Sequence, residues 1–318
     1  MHELASYQLG IIALGAIAFG VYLLIKGGDW TIDNAVAAAE QSGLSKLFIA
    51  ATILAFGTSA PELFTSVNAN LKGYPGISVG NVIGSNIANV MLVVAVSAII
   101  APIVVERGAV RVDVCVMLAA TAAMIAGILH GILPRWGGLA MVAAIITYIV
   151  YQYRASRLDT DEVEGSDAQG WKVWAMLAVG LVTLLVGSEI LVQGAVAGGL
   201  SLGVPESVIG LTVIAFGTSL PELTACVAAA RKAQFDMIVG GILGSNIFNI
   251  LSVMAISAIV KPLIIAERFA SFDMWVLTGV TLLFAALLLF GGKAGVGRGV
   301  GIFMLAGYGA FVVSQYLI

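Results

Sequence analysis

Ten stretches of this 318-residue chain stay apolar for the length of a membrane crossing. They run approximately over 8–26, 46–71, 77–101, 112–131, 136–153, 172–193, 206–231, 237–261, 273–291 and 299–317. Apolar runs of about 18 residues or more read as transmembrane helices. In hydrocarbon every backbone N–H and C=O must be paired within the protein, which leaves helices or closed barrels. Barrel strands are about 10 residues long and alternate, which these segments do not. The expected fold is an all-α polytopic membrane protein with ten transmembrane helices. The first segment lacks a basic leader region and a small-x-small cleavage site, so it reads as a spanning helix and not a signal peptide. Composition agrees: 60% of residues are apolar, 10% are charged, and the mean hydropathy is +1.05. Soluble domains carry about 25% charged residues, so a cytosolic globular protein is excluded. A net charge of −3 with no basic run excludes nucleic acid as a partner. Cys115 and Cys226 lie inside apolar stretches and suggest no disulfide scaffold.

Ten spans place alternate loops on opposite faces. One face holds Lys26, Lys46, Arg107, Arg111, Arg154, Arg157, Lys172, Arg231, Lys232, Lys293 and Arg298. The other holds Lys72, Arg135, Lys261 and Arg268. Basic loops stay in the cytoplasm. The expectation is a protein of the cell membrane with both termini outside and the polar linker 154–171 inside. That linker carries Asp159, Asp161, Glu162, Glu164 and Asp167. Their spacing is not that of an EF-hand loop, and the segment reads as a solvated hinge.

The chain repeats itself. Residues 55–62 read AFGTSAPE and 215–222 read AFGTSLPE; 84–89 read GSNIAN and 244–249 read GSNIFN. Both pairs share an offset of 160 residues, which also relates Gly27 to Gly187, Pro102 to Pro262 and Asp113 to Asp273. The expected organisation is a first five-helix repeat over 1–153, the linker 154–171, and a second over 172–318. Five is odd, so the second copy enters the membrane from the opposite face. Inverted repeats of this kind are a transporter architecture with a substrate site near the midplane.

Glu62 and Glu222 fall well inside their spans. A carboxylate at mid-bilayer costs about 3 kcal/mol or more unless paired. No Lys or Arg lies within the neighbouring spans, so the expected partner is a bound cation. Gly57, Pro61, Gly217 and Pro221 disturb the helix before each Glu, and carbonyls around Ala55 and Ala215 are expected to turn toward an ion. Thr58, Ser59, Thr218 and Ser219 add hydroxyls on the same helix face. Ser85 and Asn89 stand one turn apart in the third span, as do Ser245 and Asn249 in the eighth. This inventory of hard oxygens, with no His or thiolate, suits Na⁺ and Ca²⁺ and disfavours zinc, copper and iron.

With its GTSxPE and GSNxxN motifs at both copies, the chain resembles the cation/Ca²⁺ exchanger superfamily, in its Na⁺/Ca²⁺ exchanger branch of prokaryotic type. The resemblance covers essentially the full length. It implies a secondary-active antiporter, not an enzyme, that needs no cofactor. Ca²⁺ and Na⁺ would compete for one central cluster reached alternately from each side. The ligands it implies are Ala55, Thr58, Ser59, Glu62, Ser85 and Asn89, with Ala215, Thr218, Ser219, Glu222, Ser245 and Asn249. Many members carry Asp at the place of Asn249; here both copies have Asn, which speaks against K⁺ dependence. The H⁺/Ca²⁺ branch usually has GNxxE in place of GTSxPE, and H⁺/Ca²⁺ antiport is the alternative reading. A channel fits the inverted duplication less well. An intramembrane protease would need Asp pairs in a GxGD setting, which is absent.

Overall fold

The computed structural model describes residues 2–104, 106–156, 170–201, 215–291 and 295–315. Seven of its helices are long and apolar enough to cross a membrane. Two further segments, 46–58 and 60–71, are together long and apolar enough for an eighth and are bent by 44° at Ser59. Arg298–Ser314 is a shorter apolar helix of 17 residues. Of the expected span 206–231, the part from Ala215 is described, as Ala215–Gly217 and Leu220–Arg231. The protein is therefore an all-helical polytopic membrane protein. The one sheet among the described residues is a two-stranded tie, with Ile132 opposite Ile264 and Leu133 opposite Leu263. Most of the linker 154–171, its five acids included, lies outside the described residues.

Two expected boundaries are corrected. The first span does not end near residue 26: its helix runs His2–Ser42. The sixth, read as 172–193, runs Gly170–Ser201. The reason is a seam between these two helices. A Cβ placed on Gly20 would lie 2.8 Å from Gly187 O, and one on Gly27 2.8 Å from Leu184 N. A Cβ on Gly180 would meet Thr31 N at 2.7 Å. Contacts thus run backwards along the partner, an antiparallel pair whose backbones approach because small residues line the seam. Gly27 looks like a helix end in the sequence but serves that approach, and Gly28 beside it faces Thr224 and Ala228.

The most deeply buried spans are Pro75–Ile100 and Phe235–Val260. A Cβ on Gly240 would lie 2.7 Å from Leu47 O, and one on Gly244 2.4 Å from Ala51 O. The helix Phe235–Phe248 therefore crosses directly on the π-helical segment Ala50–Leu54 and the turn before it. The helix Arg135–Ala155 packs on Ala255–Val260, where a Cβ on Gly138 would lie 2.5 Å from Ala255 O; Arg298–Ser314 packs on Ala95–Ile100, where a Cβ on Gly301 would lie 2.7 Å from Ala95 O. The residues contacted, Ala95 and Ala255, are again 160 apart. Asp113 is buried against Tyr148, whose hydroxyl donates to it at 2.6 Å, and Gln152, whose amide also donates to it. At the corresponding place Asp273 accepts from Gln315 at 2.9 Å.

Polar contacts tie the helix ends together in two groups. At one, Lys232 pairs with Asp33 at 2.6 Å and Asp29 at 3.7 Å, Lys46 reaches Gln234 at 3.4 Å, and Ser45 N–H bonds Ser156 O. At the other, Asn70 donates to the carbonyls of Ser257 and Lys261, and Arg135 to that of Val260.

Candidate ion-binding site

The two GTSxPE motifs break their helices at the same place. Ser59 has φ −84° and ψ 7°, and Ser219 has φ −89° and ψ 3°. Each lies outside the helical region and is the N-cap of the helix that carries its Glu. Pro61 and Pro221 fall in the first turn of those helices, where a missing N–H costs nothing. The Glu therefore stands in the first turn of a half-helix, where N–H groups and the helix dipole favour an anion. Both are buried, Glu62 to 1% exposure and Glu222 to 3%.

The two motifs meet. Ser59 Oγ donates to Glu222 Oε1 at 3.2 Å. Thr58 also lies close enough to act on Glu222, while Thr218 and Ser85 act on Glu62. Each carboxylate is thus surrounded by hydroxyls that come mainly from the other motif, and the two carboxylates feel each other's charge. Asn81 holds the first half-helix from the side, donating to the backbone carbonyl of Glu62 at 3.3 Å and to Ser66 Oγ at 2.9 Å.

The GSNxxN motifs lie on Pro75–Ala88 and Phe235–Phe248. Asn89 and Asn249 open π-helical segments, Asn89–Val94 and Asn249–Met254. Such segments recur at functional sites. Here they mark where the regular helix ends. Ser85, Asn89, Ser245 and Asn249 are all buried.

Seven buried oxygens on the expected residues have no hydrogen-bond partner among the described residues: Glu62 Oε2, Glu222 Oε2, Thr218 Oγ1, Ser219 Oγ, Ser245 Oγ, Asn89 Oδ1 and Asn249 Oδ1. Buried polar atoms are nearly always paired. Seven unpartnered oxygens on residues of two motif pairs form a donor set suited to a hard cation. No group of three or more His, Cys, Asp and Glu occurs among the described residues; the set is two carboxylates and neutral oxygens.

One sequence expectation is corrected at this point. The Ala55 carbonyl is not freed from its helix: it accepts Ser59 N–H at 3.0 Å, because the helix stays regular up to Thr58. Only a second lone pair is open to an ion. Thr58 Oγ1 bonds back to Leu54 O at 3.1 Å and Ala55 O at 3.3 Å, which turns its oxygen lone pairs away from its own helix. In the second copy the turn is tighter, with Ser219 N–H on Phe216 O, and Ser188 Oγ takes up the Gly217 carbonyl at 2.7 Å. Of Ala215 only the backbone is described. The sequence reading missed Asn81, Ser188, Asn86 and Asn246. The last two lie within the GSNxxN motifs themselves.

The family model described as "Sodium/calcium exchanger protein" matches residues 12–154 and 172–317. The chain belongs to the sodium/calcium exchanger family. A membrane protein of Methanocaldococcus jannaschii is 36% identical over 302 residues, covering 94% of this chain and 96% of its own length. The sodium/calcium exchanger MaX1 of Methanosarcina acetivorans is 28% identical over 347 residues, covering 95% and 98%. The solved sodium-calcium exchanger NCX_Mj, soaked with Na⁺ and Sr²⁺, superposes with a TM-score of 0.83 at 34% identity over 96% of this chain and 98% of that one. Its form soaked with Na⁺ and no Ca²⁺ gives a TM-score of 0.85. This family member is accordingly an integral membrane transport protein and not an enzyme.

Proposed function

We propose that this exchanger-family protein is a secondary-active antiporter that moves Ca²⁺ against Na⁺. The binding site is the meeting of the two motif pairs, and its ligands are Ala55, Thr58, Ser59, Glu62, Ser85 and Asn89 with Ala215, Thr218, Ser219, Glu222, Ser245 and Asn249. The ten spans form two inverted five-helix repeats, 1–153 and 172–318, joined by the linker 154–171. Rocking elements of one repeat against the other opens the site to alternate sides. The protein sits in the cell membrane with its termini outside and its linker in the cytoplasm. The observation that carries this reading is the reciprocal clustering of Glu62 and Glu222, each against hydroxyls of the opposite motif, beside unpartnered amide and hydroxyl oxygens. The similarity to MaX1 and NCX_Mj supports the choice of ions.

The charge arithmetic gives the mechanism. Two ionised carboxylates neutralise one Ca²⁺. Hydroxyls and amides share smaller charges among several Na⁺. With the family's usual three Na⁺ for one Ca²⁺, the loaded site carries one positive charge more in the Na⁺ form, and each cycle moves one net charge. A potential of about 100 mV then contributes about 2.3 kcal/mol per cycle. Without ions the two acids face each other in a medium of low dielectric, where repulsion and desolvation penalise occlusion. The empty carrier therefore does not return, and exchange is obligatory.

⁴⁵Ca²⁺ uptake into proteoliposomes tests this directly. An outward Na⁺ gradient should drive uptake, and a pH gradient alone should not. Uptake driven equally by a pH gradient would replace Na⁺ by H⁺ as the counter-ion; uptake with no counter-ion would remove the antiport mechanism.

A further inference from the structure

Each GSNxxN motif holds two asparagines, and only the second of each belongs to the ligand set above. The first, Asn86 and Asn246, are as deeply buried, at 2% exposure each. A buried amide has two N–H donors and one oxygen to place. The four amides solve this by crossing between the copies. Asn89 Nδ2 donates to Asn246 Oδ1 at 3.0 Å, and Asn249 Nδ2 donates to Asn86 Oδ1 at 3.4 Å. In a planar amide the oxygen lies on the other side of the carbon from the nitrogen. Fixing the nitrogen therefore fixes where the oxygen points. The atoms left over by this arrangement, Asn89 Oδ1 and Asn249 Oδ1, are among the unpartnered oxygens of the site.

We propose that Asn86 and Asn246 are positioning residues, each holding the amide of the opposite copy's Asn so that its oxygen, and not its N–H₂, faces the cation. The proposal rests on the reading of Asn89 and Asn249 as ion ligands. An amide alone can turn over at little steric cost, and the turned form would aim two positive hydrogens at the ion. With Asn246 Oδ1 in place, turning Asn89 over would set two acceptors against each other in the core, which forfeits a hydrogen bond and adds repulsion.

The two crossings are not equivalent. Asn246 is itself held, with its Nδ2 4.0 Å from Met117 Sδ, a weak acceptor. The residue 160 positions beyond Met117 is Leu277, which offers no acceptor. Asn86 Nδ2 has no partner among the described residues, and its bond to Asn249 is the longer. The Asn246 end is therefore held at both atoms and the Asn86 end at one, so the effect on the opposite amide is the larger at Asn246.

Equilibrium ⁴⁵Ca²⁺ binding to the purified full-length protein in Na⁺-free buffer, with a melting curve for each variant, decides the matter. Asn246→Leu should raise the Ca²⁺ Kd about tenfold, the change made by about 1.4 kcal/mol of lost coordination. In an Asn89→Ala background the same substitution should change Kd by less than about twofold, because the amide it orients is gone. Asn86→Leu should behave likewise with Asn249→Ala, and Asn246→Ala serves if the leucine variant does not fold. Full losses in both backgrounds, or an unchanged Kd in folded Asn246→Leu, overturn the positioning role and leave the ion-site reading standing. An unchanged Kd in Asn89→Ala overturns the ligand reading and this proposal with it.

Discussion

Replacing Glu62 by Gln removes one of the two formal charges at the centre of the protein while keeping the shape of the side chain. Two unit charges about 4 Å apart in an effective dielectric of about 20 attract by about 4 kcal/mol, so a divalent ion and one carboxylate attract by about 8 kcal/mol. The Gln amide oxygen remains as a neutral ligand, and the hydration of the ion offsets much of what is lost. If a quarter of the attraction is left as net loss, about 2 kcal/mol, half-saturation for Ca²⁺ rises about thirtyfold. The Ca²⁺-loaded site then carries a positive charge, so occlusion is penalised as well, and turnover should fall below detection. The fold should not suffer. Asn81 bonds the backbone carbonyl of Glu62 and not its carboxylate, and the substitution relieves the repulsion between Glu62 and Glu222. The assay is Na⁺-driven ⁴⁵Ca²⁺ uptake in proteoliposomes, with the melting temperature in detergent as the control. Uptake close to that of the unaltered protein, in a variant that melts normally, would refute the role of the paired acids.

Further outcomes follow from the same structure. Asn249→Asp adds a third carboxylate beside Asn86 and should shift selectivity toward the divalent ion; an unchanged Na⁺ and Ca²⁺ competition profile would make the neutrality of that side chain immaterial. Protons compete with metal for Glu62 and Glu222, so half-saturation for Ca²⁺ should rise as the pH falls and recover at high Ca²⁺; a pH-independent constant would contradict this. Gly138→Ala drives a methyl to 2.5 Å from Ala255 O, an overpacking that costs about 1–3 kcal/mol and should lower the melting temperature by several degrees. Asp113→Leu leaves the buried Tyr148 hydroxyl without its acceptor, at a cost of about 1–3 kcal/mol, and should lower stability without changing the Ca²⁺ half-saturation of the protein that remains folded.

Sequence alone carried the membrane character, the repeat and the acid pair, for one reason. A carboxylate, hydroxyls and amides inside an apolar span stand out against their surroundings, and hydrocarbon tolerates them only with a task. What escaped has an equally physical cause. The end of the first helix was misplaced because glycines that let two backbones touch look the same as glycines that end a helix. The π-helical turns at Asn89 and Asn249 have no residue signature. The Ala55 carbonyl was expected free because a proline follows, but Pro61 lies too far along to claim it, since its missing N–H belongs to the turn from Gly57. Asn86 and Asn246 share a motif and a residue type with the proposed ligands Asn89 and Asn249, and only the hydrogen bonds to residues 157 or 163 positions away in the chain set them apart.

The packing of Gly138 on Ala255 and of Gly301 on Ala95 means that each of these helices leans on chain from the other side of the linker. The two stretches of chain are braided, not merely docked. A gene cut at the linker would have to deliver both pieces into the same bilayer together, since either fragment by itself would show to lipid a groove shaped for a backbone it does not possess.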